Sequence, residues 1–367
     1  MSITHKQRLV IKVGSALIAP ANSGCSEKYL KNIAEFIHRC RINGQQVVLV
    51  SSGSVAAGRQ WFNTPAPSMA IKKAMAAAGQ TSMMAMWDRL INLPVAQILL
   101  THADLCDHER YISIKDTINS LLDNGIIPIV NENDTVTSEK LKVGDNDNLA
   151  AMTAAAVDAD AFIMCTDVDG LYDKNPHKYS DATLLQTIET IDERIYQMAG
   201  GAISSTGTGG MLTKIEAAEK ATAQGIDTYI VNGFEAHSFH YLLEGQNPGS
   251  HFIGYETPME PSQHWMTHTT KACGEVVIDE DKTHFNDSNE VLTSDDIIAV
   301  KGEFSVGDTI LLTTDDGTQV AKATANYSSC LLNYIKQEDR SDDSSSAIQP
   351  QHHSIISKKH LAVLENA

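Results

Sequence analysis

The 367-residue sequence contains no run of about 18 apolar residues, the length a membrane-spanning helix needs. Its opening residues, MSITHKQRLVIKVGS, lack the apolar core and small-residue cleavage site of a secretory signal, so no leader is expected. The six cysteines, Cys25, Cys40, Cys106, Cys165, Cys273 and Cys330, form no C-x-x-C pair. Scattered in this way they exclude a disulfide framework or a zinc site and read as reduced, mostly buried thiols of a cytoplasmic protein. Basic residues are scarce: 28 Lys and Arg face 46 Asp and Glu, a formal charge of −18. Such a chain is repelled by phosphate backbones and by anionic lipid, so neither nucleic acid nor membrane is an expected partner. There is no internal repeat. Apolar residues at 42% and charged residues at 20% are ordinary for a globular chain, and the length suggests two domains.

The first 255 residues alternate in kind. Short apolar runs occur at 8–13, 47–50, 95–101, 126–130, 161–165 and 227–231. Stretches with helical spacing lie between them, at 27–43, 69–90, 116–124, 148–157 and 213–224. Alternation of this kind predicts an α/β fold with a mainly parallel sheet sandwiched by helices. Ligands then belong beyond the carboxyl ends of the strands. Residues 256–273, with Pro258 and Pro261, read as a linker. From 274 to 367 the pieces at 275–278, 297–300, 309–313 and 319–324 predict a small β-rich domain, with a hairpin signal at Asp315-Asp316-Gly317. The charged, serine-rich stretch 339–346 reads as a flexible loop.

Five segments carry chemistry. In Val10-Ile11-Lys12-Val13-Gly14-Ser15 a lysine sits within an apolar strand and ahead of a glycine. It is either a phosphate contact at a strand end or a snorkelling lysine on an edge. Val50-Ser51-Ser52-Gly53-Ser54 leads a strand into a small-residue loop and a helix, which suits an anion or merely a tight turn. Asn131-Glu132-Asn133-Asp134 and Gly144-Asp145-Asn146-Asp147-Asn148 concentrate acceptors around one loop. They suit an ammonium, a divalent metal or cationic side chains. They are no EF-hand, because Ala150 and Ala156 stand where that loop requires Gly and Glu. Thr166-Asp167 ends a strand. Thr206-Gly207-Thr208-Gly209-Gly210-Met211-Leu212-Thr213-Lys214 opens a helix as a plausible phosphate cradle. It is neither a Walker A loop nor a dinucleotide fingerprint, lacking Gly-Lys-Ser/Thr and carrying Leu212 at the third glycine position.

Taken together, VIKVGS, VSSGSVAAG, IPIVNENDTV, KVGDNDNLAA, CTDVDGLYDKNP and TGTGGMLTK resemble, in order, the glutamate 5-kinase branch of the amino acid kinase family over residues 8–255. The resemblance implies ATP-dependent phosphorylation of the γ-carboxylate of L-glutamate, the first step toward proline. Another small carboxylate is the alternative acceptor. It implies Lys12, Lys214 and Asp147 as catalytic residues, Asp147 organising both lysines. Ser52, Asp134 and Asn146 would bind glutamate. Lys12, Thr166, Asp167, Thr208, Gly209, Gly210, Met211, Leu212, Thr213 and Lys214 would hold ATP. The protein would supply no metal site of its own, Mg²⁺ arriving mainly with the nucleotide. Proline as feedback inhibitor, a homo-oligomer and hand-off to glutamate-5-semialdehyde dehydrogenase are further implications.

The C-terminal part resembles a PUA domain at 274–279, 297–304, 306–308 and 326–329. It departs from that pattern at 291–296 and at 355–360. A PUA domain suggests RNA, and an RNA-binding regulator is the competing reading. The charge argues against it: residues 1–255 hold 20 basic and 27 acidic residues, whereas 256–367 hold 8 and 19, a net −11 in 112 residues.

Overall fold

Apolar strands without alternating polar positions need cover on both faces, and the computed structural model shows the cover. It describes residues 3–20, 24–137, 146–176, 178–200, 210–280, 292–338 and 354–364. The chain divides into two compact units, Met1–Met259 and Glu260–Ala367.

In chain order the first unit comprises β1 (Arg8–Val13), α1 (Ser15–Ile18), α2 (Glu27–Ile42), β2 (Gln46–Ser51), α3 (Ser54–Gly58), α4 (Met69–Ile91), β3 (Val95–Leu100), α5 (His102–Cys106), α6 (His108–Asp123) and β4 (Ile127–Glu132). There follow α7 (Asn146–Ala156), β5 (Ala161–Thr166), β6 (Thr187–Ile188), α8 (Glu193–Met198), α9 (Met211–Ala223), β7 (Asp227–Asn232), α10 (Ala236–Leu243) and β8 (Ser250–Phe252). The strands form one sheet in the order β3-β4-β2-β1-β5-β7-β8-β6. Every neighbouring pair is parallel except β7 with β8. Val10, Val50, Val130, Phe162, Met164 and Ile230 face one core with Leu149 of α7 and Ile215 of α9. Leu9, Ile11, Leu49, Ile163 and Val231 face the other with Ile37 of α2 and Trp87 of α4. The period of two thus splits each strand between two apolar layers.

Two details differ from expectation. The helix read as starting at Asp116 begins at His108, where the Asp107 side chain accepts from Arg110 N at 2.9 Å. The cysteines are all free, but only Cys40 and Cys165 are fully buried, while Cys273 and Cys330 are exposed. A third feature positions the site: α3 and α4 meet backbone to backbone. A Cβ on Gly58 would lie 1.9 Å from Met75 O, and one on Gly79 would lie 1.8 Å from Ser54 O. No described helix is long and apolar enough to cross a membrane.

The second unit begins with α11 (Pro261–His264), which widens into a π-helical turn at Trp265–Thr269. Part of the stretch read as linker is therefore ordered, with His264, Trp265 and Met266 buried. Strands β9 (Gly274–Ile278), β10 (Ile297–Gly302), β11 (Thr309–Thr313), β12 (Gln319–Ala325) and β13 (Ile356–Val363) form a sheet ordered β10-β9-β11-β12-β13, with α12 (Ser329–Glu338) between the last two in sequence. The Asp315-Asp316-Gly317 turn does join antiparallel β11 and β12, with Gly317 at φ +88°. The core comprises Val276, Ile278, Phe304, Ile310, Leu312 and Ala323. The stretch 339–346 lies outside the described residues.

Candidate active site

The alternation along β1 puts Lys12 on the same face as Val10, beneath α7 and α9. Lys12 and Lys214 are 7% and 5% exposed, and Asp147 is fully buried. Two ammonium groups at such depth are costly unless a charge answers them. Asp147, in the first turn of α7, supplies it. Its Oδ1 pairs with Lys12 Nζ, and its Oδ2 accepts from Lys214 Nζ at 3.0 Å and from Thr213 Oγ1 at 3.1 Å. Burial pushes the Asp147 carboxyl up, but the Lys12 and Lys214 ammonium groups outweigh it and hold the group below its ordinary range. The helix N-terminus favours the same charge. Two cations share one anion, so the cluster keeps a surplus positive charge at the carboxyl end of β1. That surplus suits an incoming anion.

Beside this cluster lies a second group of polar side chains. Ser52 follows β2, its N–H donating to Val13 O at 3.1 Å. Gly53 turns the chain into α3 at φ +100°, a conformation that favours glycine, and a side chain there would also strike Ile18. Asn146 Nδ2 donates to Ser52 Oγ at 2.7 Å and to Asn131 Oδ1 at 3.1 Å. Asn131 Nδ2 donates to Gln80 Oε1 at 3.0 Å, and Gln80 Nε2 donates to Gln97 Oε1 at 3.1 Å. Asp134 stands next to this group and accepts from Ser54 Oγ at 2.8 Å rather than from Ser52.

On the other side, parallel pairing of Val13 with Cys165 brings the end of β5 against Gly14. A side chain at Gly14 would meet only Cys165 O, at 3.5 Å, so the fold itself does not demand glycine there. Thr166 is buried and donates to the exposed Asp167 at 3.0 Å. Gly210 caps α9 without a side-chain bond, leaving the first N–H groups of that helix to other acceptors. Met211, Leu212 and Thr213 form the half-buried first turn of α9. Thr208 and Gly209 lie outside the described residues.

The structure thus brings together Lys12, Asp147, Thr213 and Lys214 in one cluster and Ser52 with Asn146 in another. Asp134 is bonded instead to Ser54, and Thr166 to Asp167. Asn131 was visible in sequence only as one acceptor among several, and nothing in the sequence singled out Gln80 or Gln97. No group of three or more His, Cys, Asp or Glu among the described residues is arranged to hold a metal ion.

With this geometry in place, comparison with known proteins adds the following. The profile of the amino acid kinase family matches residues 7–232, and that of the PUA domain matches residues 274–344. The chain is 57% identical to glutamate 5-kinase 1 of Pseudoalteromonas translucida (strain TAC 125), over 100% of both chains. It is 48% identical to the glutamate 5-kinase of Idiomarina loihiensis over 98% of both, and 43% identical to that of Salinibacter ruber over 90% of both.

Proposed function

The chain belongs to the amino acid kinase family, and from that premise we propose that this kinase transfers the γ-phosphoryl group of ATP to the γ-carboxylate of L-glutamate, giving L-glutamyl 5-phosphate, the first step toward proline. The observation that carries the chemistry is the buried Lys12–Asp147–Lys214 cluster. The full-length similarity to proteins named glutamate 5-kinase supports the choice of acceptor.

Two anions must meet in this reaction. The acceptor carboxylate is ionised at neutral pH and needs no general base. What remains is positioning and neutralisation of charge on the phosphoryl oxygens. Lys12, on the central strand, meets the transferring group. Lys214, at the start of α9, meets the oxygen that leaves with the diphosphate. Asp147 spaces the two and answers their charge. The N-terminus of α9, Thr166 and Asp167 receive ATP, which enters as its Mg²⁺ complex. Ser52, Asn146 and Asp134 receive glutamate, the Asp134 carboxylate being the natural partner of an α-ammonium group. Proline as an inhibitor, a homo-oligomeric state and hand-off of the labile acyl phosphate to a dehydrogenase belong to this reading on the resemblance alone.

The test is turnover of MgATP with L-glutamate in the presence of hydroxylamine, which traps the acyl phosphate as a hydroxamate. Hydroxamate is expected with glutamate. Product with N-acetylglutamate and none with glutamate would overturn the assignment.

A further inference from the structure

The carbonyl and amino ends of the Asn146 amide have nearly the same shape, so the surroundings decide which end meets the substrate. The choice matters, because Oδ1 accepts from an ammonium group and Nδ2 donates to a carboxylate. A chain of four amides makes the choice. Gln97 Oε1 accepts from Gln80 Nε2, Gln80 Oε1 accepts from Asn131 Nδ2, and Asn131 Oδ1 accepts from Asn146 Nδ2. Asn146 Nδ2 spends its second proton on Ser52 Oγ. Both of its protons are then used. Its Oδ1 is buried and accepts no hydrogen bond from any described residue.

A buried acceptor without a donor is unfavourable, so the position calls for a ligand group that carries protons and repels a carboxylate. The chain starts at Gln97, exposed on β3, and its middle members are buried. Gln80 and Asn131 are 8% and 1% exposed. Gln80 follows Gly79, where an added Cβ would lie 1.8 Å from Ser54 O, so this turn of α4 packs against α3 with no room for a side chain.

We propose that Gln80 is a positioning residue which, through Asn131, turns the Asn146 carbonyl toward the substrate as an acceptor for its α-ammonium group, and so makes the site prefer an amino acid over the same dicarboxylate without the amine. This rests on the acceptor assignment above and deepens it. Gln80 touches no substrate. Its effect is on which substrate binds, not on the phosphoryl step.

The experiment compares L-glutamate with glutarate, which lacks only the amine, in wild type, Gln80→Met, Gln80→Glu and Gln97→Met. Gln80→Met keeps the length of the side chain and removes the carbonyl that orients Asn131. It is expected to raise KM for glutamate about tenfold, equivalent to one lost hydrogen bond, and to lower the glutamate-to-glutarate ratio of kcat/KM by a similar factor. KM for ATP and kcat should move less than about twofold. Gln80→Glu still accepts from Asn131 and lets Gln97 turn over to donate, so it should recover most of the glutamate preference. Gln97→Met should shift the preference the same way by less, and it carries the test if Gln80→Met does not fold. Equal losses for both substrates, or an unchanged preference in a folded variant, would overturn the proposal. If wild type turns over no glutamate, the acceptor assignment fails separately. The relay is then read from the side-chain NH₂ resonances of Asn131 and Asn146. Protection from solvent exchange in wild type and its loss in Gln80→Met support it, and rapid exchange in wild type overturns it.

Discussion

Lys214 and Asp147 lie 67 residues apart in sequence and 3.0 Å apart in space. The distance is closed because α7, lying on β1, packs side by side with α9, lying on β7, so that the first turns of both helices meet near Lys12. If the cluster performs the proposed phosphoryl transfer, Lys12→Ala, Lys214→Ala and Asp147→Ala each lower kcat by at least about 10²-fold. Steady-state hydroxamate assays on the folded variants check this. A near-normal rate in any one removes that residue from the mechanism.

The contact between α3 and α4 reverses the usual sign of a helix substitution. Gly→Ala in a helix interior ordinarily stabilises by up to about 1 kcal/mol. At Gly79 the added methyl would lie 1.8 Å from Ser54 O and 2.4 Å from Gly58 N. Gly79→Ala is expected to destabilise by about 1–3 kcal/mol as the helices part. It should also raise KM for the carboxylate substrate by moving the turn that carries Ser52. Urea denaturation gives the first number and kinetics the second. A stabilised variant would show that the helices separate freely.

At the opposite end of the sheet Asp227 starts β7 and binds Lys6 Nζ at 2.7 Å, His251 Nε2 at 3.3 Å and Gly254 N at 3.0 Å. Burial alone would push its carboxyl up, but the bonds to His251, Lys6 and the Gly254 amide hold it well below the ordinary range. A carboxyl depressed in the folded state stabilises fully above its unfolded value, about 3.9, and loses that contribution as pH falls below it. Asp227→Asn should therefore cost about 2 kcal/mol at pH 7, with the gap in Tm from wild type closing between pH 5 and pH 2. A gap that does not change with pH would contradict this.

The cysteines should react in an order set by burial. Burial pushes the Cys40 and Cys165 thiols up to about 12, leaving almost no thiolate at neutral pH. Cys273 and Cys330 are exposed. Titration with a disulfide dye should label Cys273 and Cys330 in the native protein and reach Cys40 and Cys165 only on unfolding. Peptide mass mapping reads the order, and early labelling of Cys165 would contradict the packing around β5.

The charge of the C-terminal part predicts no tight, salt-sensitive binding of RNA in a filter assay at low salt. Retention that collapses as salt rises would show that net charge was the wrong guide.

Elements with a dominant apolar signal were legible in sequence. β1 and β11 occupy the residues expected, because Leu9–Val13 and Ile310–Leu312 need only burial to form strands. Where the signal was polar or short, it failed. The first turns of α6 carry His108, Glu109 and Arg110, and are held by the Asp107 cap rather than by an apolar stripe. β6 and β8 have two and three residues, too few for any period. The lysines and Asp147 stood out because charge in an apolar setting needs a reason. Gln80 did not, because a glutamine in a long helix is unremarkable until its partners on β3 and β4 are seen.

Lys12 sits on a strand hydrogen-bonded on both sides, by β2 and by β5. Ser52 and Asp134, by contrast, sit in turns beyond strand ends. In the proposed mechanism the residue that meets the transferring group is thus anchored inside the sheet, while two of those proposed to receive glutamate sit in turns. A lineage built on this plan can exchange its acceptor by redrawing turns, leaving the transfer machinery untouched. The same plan makes acceptor choice, not catalytic power, the property that single substitutions alter first.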